Sequence, residues 1–495
     1  MNKFKIIISI FIILFFTNHA FAVNGILLPS FGVRYSAMGG ASSALHGSAM
    51  DIATNPANMA RNKQNAIVEG GASYLMPRLE YKDYYVSPTS PDSTYVNNVS
   101  NTQNKLNGYI MPHLAYTSKV NENFAWGIGM YAYGGGGSRF DGIVRPVPGF
   151  SGGNIMGGVG QNPNPTINQM MAAQGIGQFP YIGNSKYLRE NTFSEIQIGK
   201  ITPGIAYKFG KLSLGLGLDV GVGTLQWRWT FSDPMGAMEL PGAGYRYRGN
   251  TAVAYSGHVG LTYELSEHVA IAYTYQALSK FNFNGKTSID AGDPTKYWAL
   301  DTSAYMKLPE SHRGGIAYSK DGLTLSLDLG YIKWSGAMSS MSFVTSQVWV
   351  NLPPMDASIA ANPKGNDTNV LKFDLKWNDQ RVIALGFEYK PNTLAYRLGY
   401  NYAKSPITGA GMNPMFPGLT NQHFTGGLGI SFDRLDFDMA VEYATSQWIR
   451  SSDMSNWEMF TAFSALNTAG NQMPYYQASM KMTLVTPMIA VRYNF

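Results

Sequence analysis

A chain of 495 residues with no cysteine excludes a disulfide framework, thiolate catalysis and cysteine-based metal sites. Its formal charge of +6 is scattered rather than gathered in runs, so no nucleic-acid partner is expected. Only 14% of residues are charged, against about 25% in ordinary soluble proteins, while 31 Tyr, 25 Phe, 9 Trp and 54 Gly suit a strand-rich chain with aromatic girdles.

The first segment, residues 1–22, carries Lys3 and Lys5, an apolar run from Ile6 to Phe16, and Ala20-Phe21-Ala22. That is the layout of a secretory signal peptide, so the mature chain is expected to begin at residue 23. No later apolar run reaches the roughly 18 to 20 residues that a membrane helix needs. An exported soluble protein or a membrane β-barrel remains. No linker or low-complexity tract divides the mature chain, which reads as one domain.

Residues 23–64 are expected to form a compact hatch. Their central stretch, 32–60, reads neither as a strand nor as an ordinary loop: Gly39 and Gly40 permit tight bends, and Asn55-Pro56-Ala57 is a turn-former.

From residue 65 onward apolar and polar residues alternate in runs of about ten, the period of a strand with one greasy face. In 434–444, Leu435, Phe437, Met439, Val441 and Tyr443 share one face, while Asp436, Asp438 and Glu442 share the other. Residues 212–223 and 394–403 repeat the pattern. Strands are predicted near 65–75, 106–118, 123–133, 195–208, 211–229, 251–264, 267–283, 303–319, 321–335, 371–389, 392–404, 421–432, 434–449 and 483–495. That makes about fourteen, joined alternately by short turns and long loops, as in outer-membrane barrels. The stretch 134–194 leaves room for another hairpin, so sixteen stays open. Charges on the polar faces place those faces in a wet lumen and the greasy faces in lipid. The predicted fold is all-β: a transmembrane antiparallel β-barrel over residues 65–495, in the outer membrane of a Gram-negative bacterium, with the hatch in its lumen. Contacts with outer-membrane lipid and lipopolysaccharide follow, and Phe495 ends the chain on an aromatic of the kind the barrel-assembly machinery recognises.

The hatch stretch GVRYSAMGGASSALHGSAMDIATNPANM, the run KLPESHRGGIAYSKDGLTLSLDLGYIKWS at 307–335, WNDQRVIALGFEYKPNTLAYRLGYNYAKSPI at 377–407 and ITPGIAYKFGKLSLGLGLDV at 201–220 resemble the FadL/TodX family of outer-membrane transporters for long-chain fatty acids and other hydrophobic compounds. The resemblance implies a fourteen-stranded barrel, an internal hatch and a kinked third strand with a lateral exit into the membrane.

The residues themselves also point to such an exit. Pro112 and Pro203 lie in the strands flanking the third, and proline cannot donate to a ladder. The third strand carries Gly127 and Gly129. The expectation is that this strand loses pairing locally and leaves a window opposite the Asn55-Pro56-Ala57 turn. Capture of ligand is expected in the long loops, at Phe140, Ile167, Met170, Met171 and Phe179, with Trp229 and Phe231 on an adjacent strand end.

No nucleophile, base and orienting group fall together, no His spacing suggests a metal, and no phosphate loop suggests a nucleotide. No enzyme activity, cofactor or metal is expected. The lumen-facing Arg397 and Arg492 are expected to pair with acids such as Asp436, Asp438 or Glu442. The expected function is passive uptake, by a monomer, of long-chain fatty acids or similar apolar molecules. An alkane or aromatic-hydrocarbon channel of the same architecture is the alternative, ahead of a general porin, an adhesin or a barrel enzyme.

Overall fold

The structure is a computed structural model and describes residues 24–86, 95–103, 108–146, 187–232, 239–293, 296–345, 369–451 and 475–495. Residues 1–22, expected to be a signal peptide, lie outside them. The strands in chain order are β1 (Ala66–Val86), β2 (Tyr95–Gln103), β3 (Tyr109–Lys119), β4 (Phe124–Pro146), β5 (Tyr187–Phe209), β6 (Leu212–Ser232), β7 (Glu239–Gly249), β8 (Ala252–Glu264), β9 (Val269–Gln276), β10 (Ser279–Asp293) and β11 (Lys296–Leu308). They continue with β12 (Ser311–Lys320), β13 (Leu323–Ile332), β14 (Ser340–Thr345), β15 (Asn369–Asp374), β16 (Gln380–Tyr389), β17 (Leu394–Ala403), β18 (Gln422–Phe432), β19 (Leu435–Thr445), β20 (Ile449–Arg450) and β21 (Tyr475–Asn494).

Neighbours run antiparallel, and β21 returns to pair with β1 from Ile67↔Asn494 to Val86↔Tyr475. The sheet thereby closes into a 14-strand ring, in which β2, β7, β10, β11, β14, β15 and β20 prolong ring strands beyond a break. Where a further hairpin had room, β4 and β5 simply run on to Pro146 and from Tyr187, paired with each other. Closure gives every ring strand a hydrogen-bonded neighbour on either side, which satisfies most ladder groups away from lipid. Two-residue turns join strands at one end: Asp321 and Gly322, between β12 and β13, both hold positive φ, 49° and 82°, which matches the twist of the flanking strands.

The outer face is greasy. Phe437, Met439, Val441 and Tyr443 are exposed on it, while Asp438 and Glu442 are buried inside. Along the axis, however, the inner face changes character. On β6 the inward residues near the short-turn end are Ser213, Gly217 and Asp219, and further up they are Leu225, Trp227 and Trp229, all buried. The expectation of a uniformly wet lumen therefore holds only for the short-turn half. In the other half, inward-facing Tyr247, Phe281, Phe283, Phe343, Phe373 and Met480 make the interior apolar.

The N-terminal segment, residues 24–65, forms short helical turns at Val33–Ala37, Asp51–Thr54 and Pro56–Arg61. It touches inward-facing groups right round the ring. Glu69 of β1 accepts from Ala49 N at 3.2 Å, Asp328 of β13 from the Ser42 and Ser43 amides at 3.1 and 3.0 Å, and Asn401 of β17 donates to Gly39 O at 3.0 Å.

Candidate substrate path

Wall glycines give the N-terminal segment its seat. A Cβ on Gly399 would stand 2.0 Å from Gly39 N, and one on Gly215 would stand 2.2 Å from Ala57 N. Backbone therefore meets backbone, as only glycine allows. Asn55 caps the Pro56–Arg61 turn by accepting from Ala57 N at 3.1 Å, and donates to Ser43 O and to Thr262 Oγ1 on β8 at 2.7 and 2.9 Å. Asn55-Pro56-Ala57 thus faces β6 and β8.

Gly127 and Gly129 belong to the same seat. Both are paired on each edge, Gly127 with Thr117 and Gly204, Gly129 with Ala115 and Thr202. Cβ atoms there would stand 2.9 Å from Met59 Sδ and 2.9 Å from Ile52 Cγ2.

The interruption in the wall lies higher. β4 pairs with β3 only from Ala125 to Tyr131, although it stays paired with β5 to Pro146, with register shifts at Ala132/Gly134 and Asp141/Ile143. Above His113, β3 remains paired with β1 alone, beginning with Pro112↔Ala72. The β3–β4 ladder therefore ends where Pro112 begins, and a missing N–H accounts for its stopping there. Pro203 acts similarly: the β5–β6 ladder skips from Ile201↔Val220 to Gly204↔Gly217.

Because β5 holds one edge of β4, the other edge is free for the N-terminal segment. Leu27 bridges Gly134, Gly135 N donates to Ile26 O at 2.9 Å, and Leu28 N donates to Tyr133 O at 3.3 Å. The segment beside the break is therefore Ile26–Leu28, and the turn at Asn55 lies elsewhere, contrary to the sequence expectation. Phe31 stacks on Tyr133, ring centroids 5.6 Å apart. Lys200 Nζ lies 3.6 Å from the Tyr133 ring centre and donates to Asp219 at 2.8 Å. Asp219 also accepts from Thr202 and Gln276 at 2.7 and 2.8 Å, so this buried charge is fully engaged.

Above the segment, rings span the lumen. Trp227 meets Phe343 and Phe373 edge-on at 5.4 and 5.7 Å, and Phe373 reaches Phe416 at 5.8 Å. Phe416 belongs to residues 404–421, which join β17 to β18 without regular strand or helix beyond a 3-10 turn at Gly409–Gly411. This connection is not an outer loop. Its Met412, Met415, Phe416 and Leu419 are buried, and its Pro414 and Met415 carbonyls accept from Ser138 of β4 and Ser194 of β5. Sequence reading missed it.

Of the residues expected to capture ligand, Phe140 and Trp229 are not exposed loop anchors. Phe140 is buried on β4 with its ring 5.8 Å from that of Tyr81, and Trp229 donates to Glu190 at 3.0 Å. Phe231 lies on β6, paired with Glu190. Ile167, Met170, Met171 and Phe179 lie outside the described residues. Arg397 donates to Glu388 and Asp438, both at 2.6 Å, and Arg492 to Asp436 at 3.0 Å; Glu442 instead meets His423 at 2.7 Å. At the short-turn end a cavity of about 1380 Å³ is lined by Arg34, Arg61, Lys63, Lys208, His46 and Glu264, among others. Among the described residues no group of acids and histidines is placed to hold a metal.

A closed barrel with a greasy exterior, a filled lumen and an interrupted wall defines the class: an outer-membrane β-barrel transport protein. The family model described as outer membrane protein transport protein (OMPP1/FadL/TodX) matches residues 15–144 and 188–484, and the chain belongs to that family. Among solved structures, a Pseudomonas aeruginosa FadL homologue is 14% identical over 95% of this chain and 100% of its own, with a TM-score of 0.67. The toluene transporter TodX of P. putida is 16% identical over 94% of this chain and 99% of its own, TM-score 0.60. The CymD monoaromatic hydrocarbon channel gives 16%, 96%, 99% and 0.58. No curated protein sequence is similar enough to this chain to count as a match.

Proposed function

We propose that the protein lets apolar molecules, long-chain fatty acids foremost, cross the outer membrane passively and leave sideways into the bilayer. The observation that carries this reading is the upper part of β4, whose ladder with β3 ends at Tyr131 and whose freed edge takes up Ile26–Leu28 beside an apolar lumen. Residues 23–64 act as the hatch, and the exit lies between Pro112 and Ala132 rather than at Gly127 and Gly129. Gly39, Gly40 and the Asn55-Pro56-Ala57 turn hold the hatch in place. Capture begins in the loop carrying Ile167, Met170, Met171 and Phe179, and the inward-facing Trp227 and Trp229 receive the ligand below it.

Lateral release has a physical reason. Burying each CH₂ is worth about 0.8 kcal/mol, so a chain of a dozen methylenes prefers lipid over water by roughly 10 kcal/mol. No energy source is needed, and the protein is not an enzyme. It works as a monomer in contact with lipid and lipopolysaccharide, and the exposed Phe495, whose amide donates to Ala66 O at 2.9 Å across the closing seam, is the mark for barrel assembly.

The aromatic rings around Trp227, with the likeness to the toluene transporter TodX and the CymD monoaromatic hydrocarbon channel, favour a second reading, uptake of monoaromatic hydrocarbons. Reconstituted liposomes offered oleate, toluene and a small sugar separate these. Oleate flux above toluene, with sugar excluded, supports the first reading; sugar flux equal to oleate flux refutes both.

A further inference from the structure

The outer wall carries a patch of cations at the top of its greasy band. On β16 and β17 the outward-facing residues climb from Tyr389 and Leu394, beside a short turn, to Arg381 and, just past the strand end, Lys404, both exposed. Arg381 stands eight positions above Tyr389, about 20 Å of height in a tilted strand, against the roughly 25 Å of a barrel's apolar band. Tyr331, paired with Arg381, and Tyr402 are exposed at this level as an aromatic girdle. The cations therefore stand where hydrocarbon gives way to headgroups, at the end with the long connections, which is the outer leaflet.

These charges lack counter-ions. The ladder between β16 and β17 ends at Val382↔Ala403, and one step further the same register sets Arg381 opposite Lys404, an unfavourable like pair. Lys376, also exposed, is held beside them, since Asn378 N donates to Pro406 O at 2.7 Å and Thr408 Oγ1 to Lys376 O at 3.2 Å. Among the described residues no carboxylate pairs with any of the three, because the acids nearby are engaged elsewhere. Glu310 holds Lys333 and Asp374 holds Lys372, each at 2.8 Å, and Asp379 accepts from the Tyr331 hydroxyl and the Ser335 amide. Below the cations, on the same outer face, lies an apolar groove of about 600 Å³. One bank is the row Ile316, Leu327, Leu385 and Tyr400, paired across β12, β13, β16 and β17; the other is the next outward row nearer the short turns. Leu385 lies four positions below Arg381, about 13 Å along the strand, a distance an acyl chain spans.

We propose that this patch binds the phosphorylated glycolipid of the outer leaflet, lipid A: Arg381, Lys404 and Lys376 hold a phosphate, for which the guanidinium fork is suited, and one acyl chain descends past Ile383 into the groove. The inference rests on the lipopolysaccharide contact proposed above and gives it a place and a headgroup. It is independent of the cargo, since these side chains lie on the outer surface. A neutral lipid would fill the groove equally well but leave the opposed cations unmatched.

Native mass spectrometry of the protein in detergent, titrated with lipid A, with lipid A stripped of its phosphates and with phosphatidylglycerol, tests it. Lipid A is expected to bind about a hundredfold more tightly than the phosphate-free form, the combined worth of three cations at a membrane surface. Arg381→Gln with Lys404→Gln and Lys376→Gln should abolish that preference, with the unfolding midpoint and oleate flux unchanged. Lys211→Gln, an exposed cation at the short-turn end, should leave it intact. Equal binding of phosphatidylglycerol and lipid A overturns lipid A as the occupant. Lipid A binding undiminished in the triple variant overturns this site and leaves the lipopolysaccharide contact standing; no lipid A binding by the unaltered protein overturns both.

Discussion

Arg34 and Glu388 join the N-terminal segment to the wall through two parallel bonds: Arg34 Nε donates to one carboxylate oxygen at 3.0 Å and Nη2 to the other at 2.8 Å. The same carboxylate takes Arg397 Nε at 2.6 Å. Glu388→Leu leaves two enclosed guanidiniums short of a counter-ion, a loss of about 3 to 5 kcal/mol. The expected result is a lower unfolding midpoint on heating in detergent, together with a protease-sensitive N-terminal segment.

The glycine seat predicts a separable effect. Gly399→Val or Gly215→Val leaves the outer face and the ladder intact but drives a side chain into Gly39 or Ala57. Small-ion conductance in planar bilayers should rise severalfold while heat-modifiable mobility stays that of a closed barrel. Gly426→Ala, whose nearest neighbour would be 3.7 Å away, should change neither.

The absence of cysteine allows a direct test of the sideways exit. Leu28 N reaches Tyr133 O, and residues facing each other across an antiparallel pair lie within disulfide range. Leu28→Cys with Tyr133→Cys, oxidised, should stop oleate uptake, and reductant should restore it. Uninterrupted uptake by the oxidised protein removes β4 from the route.

Two groups in the N-terminal segment give its seating a pH dependence of opposite sign. Burial pushes the Asp51 carboxyl up to about 6, against its bonds from Tyr35, Asn62 and Ser48. A raised carboxyl favours the folded state while protonated, so this contribution is complete below about pH 4 and is lost as pH rises through 6. Burial, with Arg61 and Arg34 nearby, pushes the His46 imidazole down to about 3. That group favours the folded state when neutral, and its contribution falls away as pH drops from about 6.5 to 3. Asp51→Asn should therefore flatten the upper limb, raising stability at pH 7 relative to pH 4 by about 2 to 3 kcal/mol, measured by denaturant titration of segment release.

Met170→Ser with Met171→Ser tests capture. Oleate uptake at low concentration should fall several-fold with the unfolding midpoint unchanged; unchanged uptake places capture elsewhere.

Strand alternation made the barrel legible because period two and a lipid outer face leave one register per strand. It misjudged the upper lumen for the same reason: on β6 the pattern inverts there, with Leu225, Trp227 and Trp229 turned inward and Thr224, Gln226 and Arg228 on the opposite face, so greasy no longer means outward. Gly134 to Gly137 read as a loop, since glycine is a weak strand former, yet pairing with Ile198 to Glu195 on β5 carries them as strand. Residues 404–421 looked like any Gly- and Pro-rich connection. What marks them out is Met412, Met415, Phe416 and Leu419, four large apolar side chains in a loop that water alone would not keep folded. The turn-formers of the N-terminal segment were legible, but its contacts with the wall join residues hundreds of positions apart, which no local pattern encodes.

Residues 404–421 and 24–65 come from distant stretches of the chain and meet inside the barrel, where a Cβ on Gly418 would stand 2.9 Å from Gly25 O. Under the proposed route, a passenger that shifts one stretch therefore bears on the other. Such an arrangement works as a coupled latch: greasy molecules that fit between the two displace them together, while ions and hydrophilic toxins, with nothing to gain there, leave it shut.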